Sequence, residues 1–188
     1  TLGVHSEIQS DANTLTLNVS SGNAITGTYN LTFDGSGDTT VNDPIATGSG
    51  TFTKAGSGTL LLEGTNTYTG TTTVSAGTLT VSGTLANTAL TVSSGATYDV
   101  DATDTILSIA GAGTINLADA ALTAGDGNDQ TFSGTFVGDE KFTKAGAGTL
   151  TLSGNSSSYT GIIAISAGDI SISNDNNLGN PNTIDADR

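Results

Sequence analysis

Residues 52–64 read FTKAGSGTLLLEG, and residues 142–154 read FTKAGAGTLTLSG. The match resumes after a one-residue insertion, because YTG at 68–70 corresponds to YTG at 159–161, and VSAG at 74–77 corresponds to ISAG at 165–168. Agreement over so long a stretch marks an internal repeat. In both copies apolar residues alternate with polar ones in short runs that end at glycine, which is the pattern of strands with one buried face.

The differences between the two copies predict which side chains face the core. Leu60 and Leu62 recur unchanged, so we expect these positions to point inward. The position between them is Leu61 in the first copy and threonine in the second, so it should face water. By the same comparison we expect Val74, Leu79, Val81 and their counterparts Ile165, Ile170 and Ile172 to point inward, and Glu63, Ser153, Thr78 and Asp169 to point outward.

Length and composition exclude several classes of protein. The 188 residues favour one domain, and they contain 26 glycines but no Cys, Met or Trp, which rules out disulfides and thiolate metal sites. Lys plus Arg number 4 against 18 Asp plus Glu, a formal charge of -14, which disfavours nucleic acid and anionic membranes as partners. The apolar runs are too short to span a bilayer. The missing initiator Met and signal peptide suggest an excerpt from a longer chain.

A shorter motif predicts how the strands are arranged. The pattern Val/Ile-Ser-Ser/Ala-Gly starts at Val19, Val74, Val92 and Ile165, and the interval from Val74 to Val92 is 18 residues. An interval of that length is close to one coil of a solenoid, in which each strand pairs in parallel with the strand one coil further on. The sequence therefore predicts an all-β parallel β-helix (β-solenoid) with ~20–25 residues per coil, roughly eight coils and a length of about 40 Å.

The two repeat lysines do not fit simple alternation. Strict alternation from the preceding phenylalanines would point Lys54 and Lys144 inward, and an unpaired buried ammonium is costly. We therefore predict that the strands end at Thr53 and Thr143 and that both lysines lie on corners.

These stretches resemble the passenger-associated transport repeat of bacterial autotransporters (type V secretion). The resemblance is carried by TKAGSGTL at 53–60, NTYTG at 66–70 and SAGTL at 75–79, and it covers most of residues 40–180. It implies a right-handed parallel β-helix that is extracellular or displayed on the bacterial cell surface. It also implies export through the periplasm and outer membrane by a C-terminal β-barrel of the parent chain, with the repeat aiding transport and folding. The second copy departs at Ile162, which we expect to face outward against a neighbouring loop.

The domain and function expected from this resemblance are structural. Residues 1–188 should form a single β-helix segment of a longer passenger, with repeat units near 41–82 and 131–173. The expected function is that of a spine that supports export and stepwise folding and presents a functional region. The alternative is a direct adhesive surface for host cells, matrix or self-association. We expect no enzyme activity, no cofactor, no nucleic-acid partner and no direct membrane insertion.

Acidic residues provide candidate metal sites. The run AGDGND at 124–129 partly resembles the calcium-binding nonapeptide of β-roll toxins, whose carboxylate and carbonyl oxygens suit calcium. Those sites need consecutive turns, and the chain has one imperfect copy, so we expect a plain acidic turn. Asp99, Asp101 and Asp104 form a second cluster, and alternation places Asp99 and Asp101 outward with Val100 inward. The sequence therefore predicts no metal site.

Two further functions, a polysaccharide-acting enzyme and an ice-binding solenoid, need features that the sequence provides only in part. A polysaccharide-acting enzyme needs clustered carboxylates with a basic partner. The only cations are Lys54, Lys141, Lys144 and Arg188. The one histidine, His5, lies in a terminus that we expect to be frayed. An ice-binding solenoid needs threonines in one flat file. The Thr-x-Thr elements are irregularly spaced, so we predict that they do not stack in one flat file; they occur at residues 14–16, 51–53, 71–73, 78–80 and 149–151.

Overall fold

The computed structural model describes residues 1–85 and 87–180, and nearly all of its regular structure is parallel β-strand. Three strand positions recur along the chain, and each strand pairs in parallel with the strand one coil earlier and one coil later. In this part of the chain the only helix is a short 3-10 helix, Asp175–Leu178, so no described helix is long and apolar enough to cross a membrane. The prediction of an all-β parallel solenoid is confirmed.

Numbered in chain order, the strands fall into three files. The first sheet contains β1 Ser6–Gln9, β4 Leu31–Asp34, β7 Phe52–Lys54, β9 Thr72–Val74, β11 Ala89–Val92, β14 Ser108–Gly111, β17 Gln130–Phe132, β20 Thr149–Leu152 and β22 Asp169–Ile172. The second sheet contains β2 Thr14–Leu17, β5 Asp38–Val41, β8 Thr59–Leu62, β10 Thr78–Val81, β12 Thr97–Val100, β15 Thr114–Leu117 and β18 Thr135–Gly138. The third face contains β3 Ile25–Thr26, β6 Ile45–Ala46, the Thr65–Thr84 bridge, β13 Asp104–Ile106, β16 Leu122–Ala124, β19 Phe142–Lys144 and β21 Ile163–Ile165.

The nine paired strands of the first sheet define about eight turns. Partners in successive turns are 25 residues apart at the start, where Ser6 pairs with Leu31, and 18 residues apart where Thr72 pairs with Leu90. Val74 pairs directly with Val92, so the interval found in the sequence is one turn of the solenoid. Coil length therefore varies along the stack while the parallel register is kept.

The core is a set of inward columns that run along the solenoid. Leu60 and Leu62 pair with Leu79 and Val81 of the next coil, and all four side chains are buried, as the comparison of the two copies predicted. Aromatic rings stack around each repeat. Phe52 lies 5.2 Å from Tyr68 between ring centroids in the first copy, and the second copy has a larger cluster made of Phe132, Phe136, Phe142 and Tyr159.

Three isoleucines that were expected to be buried are not. Ile165 and Ile172 are 54% and 37% exposed, and Ile170 is half-buried. Their register is as predicted, because Ile170 and Ile172 follow Leu150 and Leu152 in the inward columns. They are exposed because β21 and β22 are the last described strands of their files, where no further described coil packs on them.

The two repeat copies lie on different faces of the solenoid. In the first copy FTK is β7 of the first sheet and the following strand, β8, belongs to the second sheet. In the second copy FTK is β19 of the third face and the following strand, β20, belongs to the first sheet. The copies are 90 residues apart, which is not a whole number of turns, so equivalent outer surfaces point in different directions.

Candidate functional sites: the lysine corners and the outer faces

The repeat lysines lie inside the solenoid. Lys54 ends strand β7, is 3% exposed, and donates hydrogen bonds from Nζ to the carbonyl oxygens of Gly56 and, at 3.2 Å, Ala76. The prediction that the strand stops at Thr53 and leaves the lysine on the corner is therefore wrong. Carbonyl oxygens from two successive corners satisfy the ammonium, which offsets the cost of burial that motivated the prediction.

The second copy repeats this arrangement on another face, so the same prediction is wrong for Thr143 and Lys144. Lys144 ends β19, is also 3% exposed, and donates from Nζ to Ala145 O at 2.5 Å, Gly146 O at 2.9 Å and Ala167 O at 3.2 Å. Burial lowers the pKa of the Lys54 ammonium, and the nearby carboxylates of Asp34 and Asp38 oppose that shift. The repeat thus encodes an internal ammonium site.

The run at 124–129 forms an acidic turn whose carboxylates are used within the fold. Both oxygens of Asp126 accept hydrogen bonds from Asn128, at 2.8 Å from its backbone N and 2.9 Å from Nδ2, and these bonds lower the pKa of the Asp126 carboxyl. Asp129 Oδ1 accepts the backbone N–H of Thr149 in the next coil at 2.8 Å. Among the described residues, no group of three or more His, Asp or Glu side chains could hold a metal ion.

Asp129 has an equivalent near the first copy that the sequence comparison missed. Asp38 Oδ1 accepts the backbone N–H of Thr59 at 2.8 Å, so each aspartate caps the start of the strand that follows the lysine corner one coil later. In the sequence this pair of caps is marked by an aspartate before the threonine of GTL, 21 residues before it in the first copy and 20 residues before it in the second. It was hidden because the two surrounding corners, DGSGD and GDGND, align poorly.

The second acidic cluster is divided by the wall of the solenoid. Asp101 is exposed and Asp99 is half-buried on the outer face, with Val100 buried between them, as predicted. Asp99 Oδ1 accepts a hydrogen bond from Asn116 Nδ2 of the next coil at 2.6 Å. Asp104 is 5% exposed and points inward, so it does not join the other two carboxylates.

Asp104 fills a polar position in an inward column of the third face. Its Oδ2 accepts the backbone N–H of Leu85 one coil earlier at 2.7 Å, and its Oδ1 accepts that of Thr105 at 2.7 Å. Burial raises the pKa of the Asp104 carboxyl, and these two hydrogen bonds partly oppose the shift. Two coils earlier in the column, Asn66 plays the same part, because its Oδ1 accepts the N–H of Ile45 at 2.9 Å.

Replacing Asp104 by asparagine is expected to flatten the pH dependence of stability. A carboxyl whose pKa is higher in the folded state stabilises the fold below its unfolded pKa, and this stabilisation disappears as pH rises through the folded pKa. The difference in free energy of unfolding between Asp104→Asn and wild type should therefore favour the variant more at pH 7 than at pH 4, as measured by urea unfolding at both values. The reverse swap, Asn66→Asp, should lose stability mainly at pH 7. Equal effects of Asp104→Asn at the two pH values would contradict this assignment.

Threonines form ordered columns on the outer faces. Thr59, Thr78, Thr97, Thr114 and Thr135 occupy the same position on five consecutive strands of the second sheet, and all are half-buried. Shorter columns lie on the first sheet at Thr32, Thr53, Thr73 and Thr91, and on the third face at Thr105, Thr123 and Thr143.

The Thr-x-Thr elements themselves are divided between two sheets. The elements at 51–53 and 71–73 are direct neighbours on the first sheet, but the five elements together do not form one flat file, as predicted. The elements at 14–16 and 78–80 lie on the second sheet with two strands between them. Single threonines one coil apart, and not the Thr-x-Thr elements, mark the threonine columns in the sequence.

The residues considered for catalysis are scattered. Lys54 and Lys144 are internal, Lys141 is exposed, and Arg188 lies outside the described residues. The terminus that holds His5 is not frayed, because its Nδ1 accepts the backbone N–H of Asn30 at 3.0 Å and its ring lies edge-on to Tyr29. Ile162 is 38% exposed and faces outward as expected.

Comparison with known proteins gives two matches. The model of the passenger-associated-transport-repeat matches residues 52–81 and 142–172, which are the two repeat copies with their buried lysines. The chain is 36% identical over 167 residues to the adhesin BmaC autotransporter of Brucella suis biovar 1 (strain 1330), a match that covers 78% of this chain. The chain spans 5% of the length of that adhesin. No solved structure matches the chain.

Proposed function

This chain is a segment of an autotransporter passenger with two passenger-associated-transport-repeats, and we propose that it serves as a stiff spine. The observation that carries the proposal is the first sheet, whose nine strands stay paired in parallel from Ser6 to Ile172. Every coil packs on its neighbours through buried apolar columns, so the segment resists bending along its axis. The role is structural and non-catalytic.

The spine supports export as well as display. The passenger of such a protein reaches the bacterial cell surface through the periplasm and outer membrane, and the partner within the parent chain is a C-terminal β-barrel. A chain without cysteine can stay free of disulfides during passage. A solenoid can then add coils one after another, because each coil contacts only its neighbours. The charge of -14 adds solubility on the way.

The segment is one continuous unit within a longer passenger. We propose that its repeat units extend over residues near 41–82 and 131–173, beyond the stretches 52–81 and 142–172 that the family model matches. The functional region that the spine presents belongs to the parent protein.

An adhesive surface is the second candidate, and the threonine column of the second sheet favours it. Five threonines in register present hydroxyl groups at a spacing of ~4.8 Å per coil, which is a regular array of donors and acceptors. The similar Brucella protein is named an adhesin. The partner would be a host-cell surface, a matrix protein or another copy of the passenger, held by ordinary polar contacts.

Binding by the purified 188-residue chain distinguishes the two candidates. The folded chain is applied to host cells, matrix proteins and glycans, in calcium and in chelator. The spine proposal predicts no saturable binding. Saturable binding that Thr97→Lys abolishes, and that Thr123→Lys on the third face leaves intact, would instead establish the adhesive surface. Dependence on calcium that Asp126→Asn removes would show that the acidic turn at 124–129 binds the metal.

A further inference from the structure

The corners around the two lysines share the same hydrogen bonds to the following coil, as well as the matched sequence. In both copies the ammonium reaches a carbonyl one coil later at the same distance, 3.2 Å, from Lys54 to Ala76 and from Lys144 to Ala167. The lysine backbone carbonyls also accept N–H groups from that coil, with Ser75 N at 2.7 Å and Ser166 N at 2.8 Å. Two copies on different faces of the solenoid therefore build the same connection to the following coil.

A glycine permits this connection. Gly77 follows Ala76 with φ of +65°, and a Cβ there would overlap the carbonyl oxygens of Gly56 and Gly58 in the lysine corner. Gly168 repeats the geometry with φ of +69° against the carbonyls of Gly146 and Gly148. The later corner lies directly on the lysine corner, so carbonyls from both converge on one ammonium.

The preceding coil completes the arrangement. Asp38 and Asp129 accept the N–H of the first residue in the strand that follows each lysine corner, both at 2.8 Å. Phe33 and Ala124 pair with Lys54 and Lys144 in register, so an acidic corner of the earlier coil stacks against each lysine corner. Neither acidic corner lies within the residues that the repeat model matches.

We propose that each lysine corner is the centre of a three-coil latch. The earlier coil gives the carboxylate that accepts the N–H of Thr59 or Thr149 in the middle coil, and the ammonium of the middle coil donates to a backbone carbonyl of the later coil. The three corners hold one another, so these coils open and close together rather than singly. The unit of folding in each repeat is then three coils, and it includes an acidic coil outside the family motif. This inference does not depend on the spine function, because it concerns cooperativity within the segment.

Hydrogen exchange on the full chain tests the latch. Lys54→Met removes the ammonium and keeps an unbranched apolar side chain. We expect exchange to rise about tenfold together at the amides of Asp38, Gly58 and Thr78, one from each coil, since hydrogen bonds to a charged group are lost. The corresponding corner amides of the second repeat, Gly148 and Asp169, should keep their rates. Lys144→Met should give the reverse footprint.

The control is Lys141→Met, which removes an exposed lysine three residues before Lys144 and should change no rate. A rise at Gly58 alone, a rise at Gly58 and Thr78 without Asp38, no rise, or an equal rise in both repeats would each overturn the latch. If Lys54→Met does not fold, Lys54→Gln, whose amide is uncharged and one atom shorter in reach than the ammonium, is measured at the same amides. The same outcomes then decide.

Discussion

Replacing Gly56 by alanine is expected to destabilise the protein by about 3 kcal/mol or more, at the upper end of what overpacking costs. A Cβ on Gly56 would overlap the backbone of Gly35 in the preceding coil. That atom is backbone, so no side chain can move aside, and the coils would have to separate from their spacing of ~4.8 Å. Because paired strands on all three faces fix this spacing, relief at one corner breaks hydrogen bonds elsewhere. Urea unfolding gives the change in free energy of unfolding.

Gly127 provides the matched control, since it too lies on a corner of the stack. A Cβ there meets nothing within 4 Å, and its φ is not in the left-handed region. Gly127→Ala should therefore be neutral or slightly stabilising, because alanine reduces the freedom of the unfolded chain. A Gly56→Ala variant as stable as Gly127→Ala would show that the coils can separate at this corner without loss.

Truncating Phe136 to alanine is expected to cost about 3–5 kcal/mol. Its ring is 1% exposed and lies 5.2 Å from Phe132, 4.8 Å from Phe142 and 5.7 Å from Tyr159 between centroids. Removing it leaves a cavity lined by three rings, two of which, Phe132 and Phe142, belong to paired strands and cannot move freely into the space. Part of the cost is the loss of aromatic contacts, which contribute beyond the area they bury.

Phe136→Leu separates these contributions. Leucine restores most of the volume without an aromatic face, so we expect about one third of the loss seen with alanine, on the scale of ordinary core swaps. Thermal or urea unfolding of both variants measures the difference. A loss below about 1 kcal/mol for Phe136→Ala would mean that neighbouring coils close the cavity, contrary to a stiff stack.

Local patterns predicted the columns of the core. Alternation and the substitutions between copies identified Leu60, Leu62, Val74, Leu79 and Val81 as buried, because strand side chains alternate regardless of what packs on them. The same alternation points Lys54 inward. The prediction that Lys54 lies on a corner set this alternation aside to avoid a buried charge, and it is wrong. The missing information was the partner: Ala76 O is 22 residues away, and its position depends on the length of one coil.

Other failures have the same origin. Closeness in sequence groups Asp104 with Asp99 and Asp101, but a corner between them turns Asp104 into an inward column with Asn66. The threonine column through Thr97 went unseen because its members are 17 to 21 residues apart, at unequal intervals. A regular period would have exposed it, and coils of different length conceal it.

The sequence by itself determined the repeat, the strands, the parallel solenoid and its number of turns, because these follow from alternation, glycine corners and one interval between equivalent motifs. Only the tertiary structure decided which corners meet. It placed the two copies on different faces, buried both lysines under carbonyls of the next coil, and brought Asp38 and Asp129 to equivalent strand starts. The physical reason is register: paired strand residues of successive coils are 17 to 25 residues apart, and one residue more or less in a coil changes which groups stack.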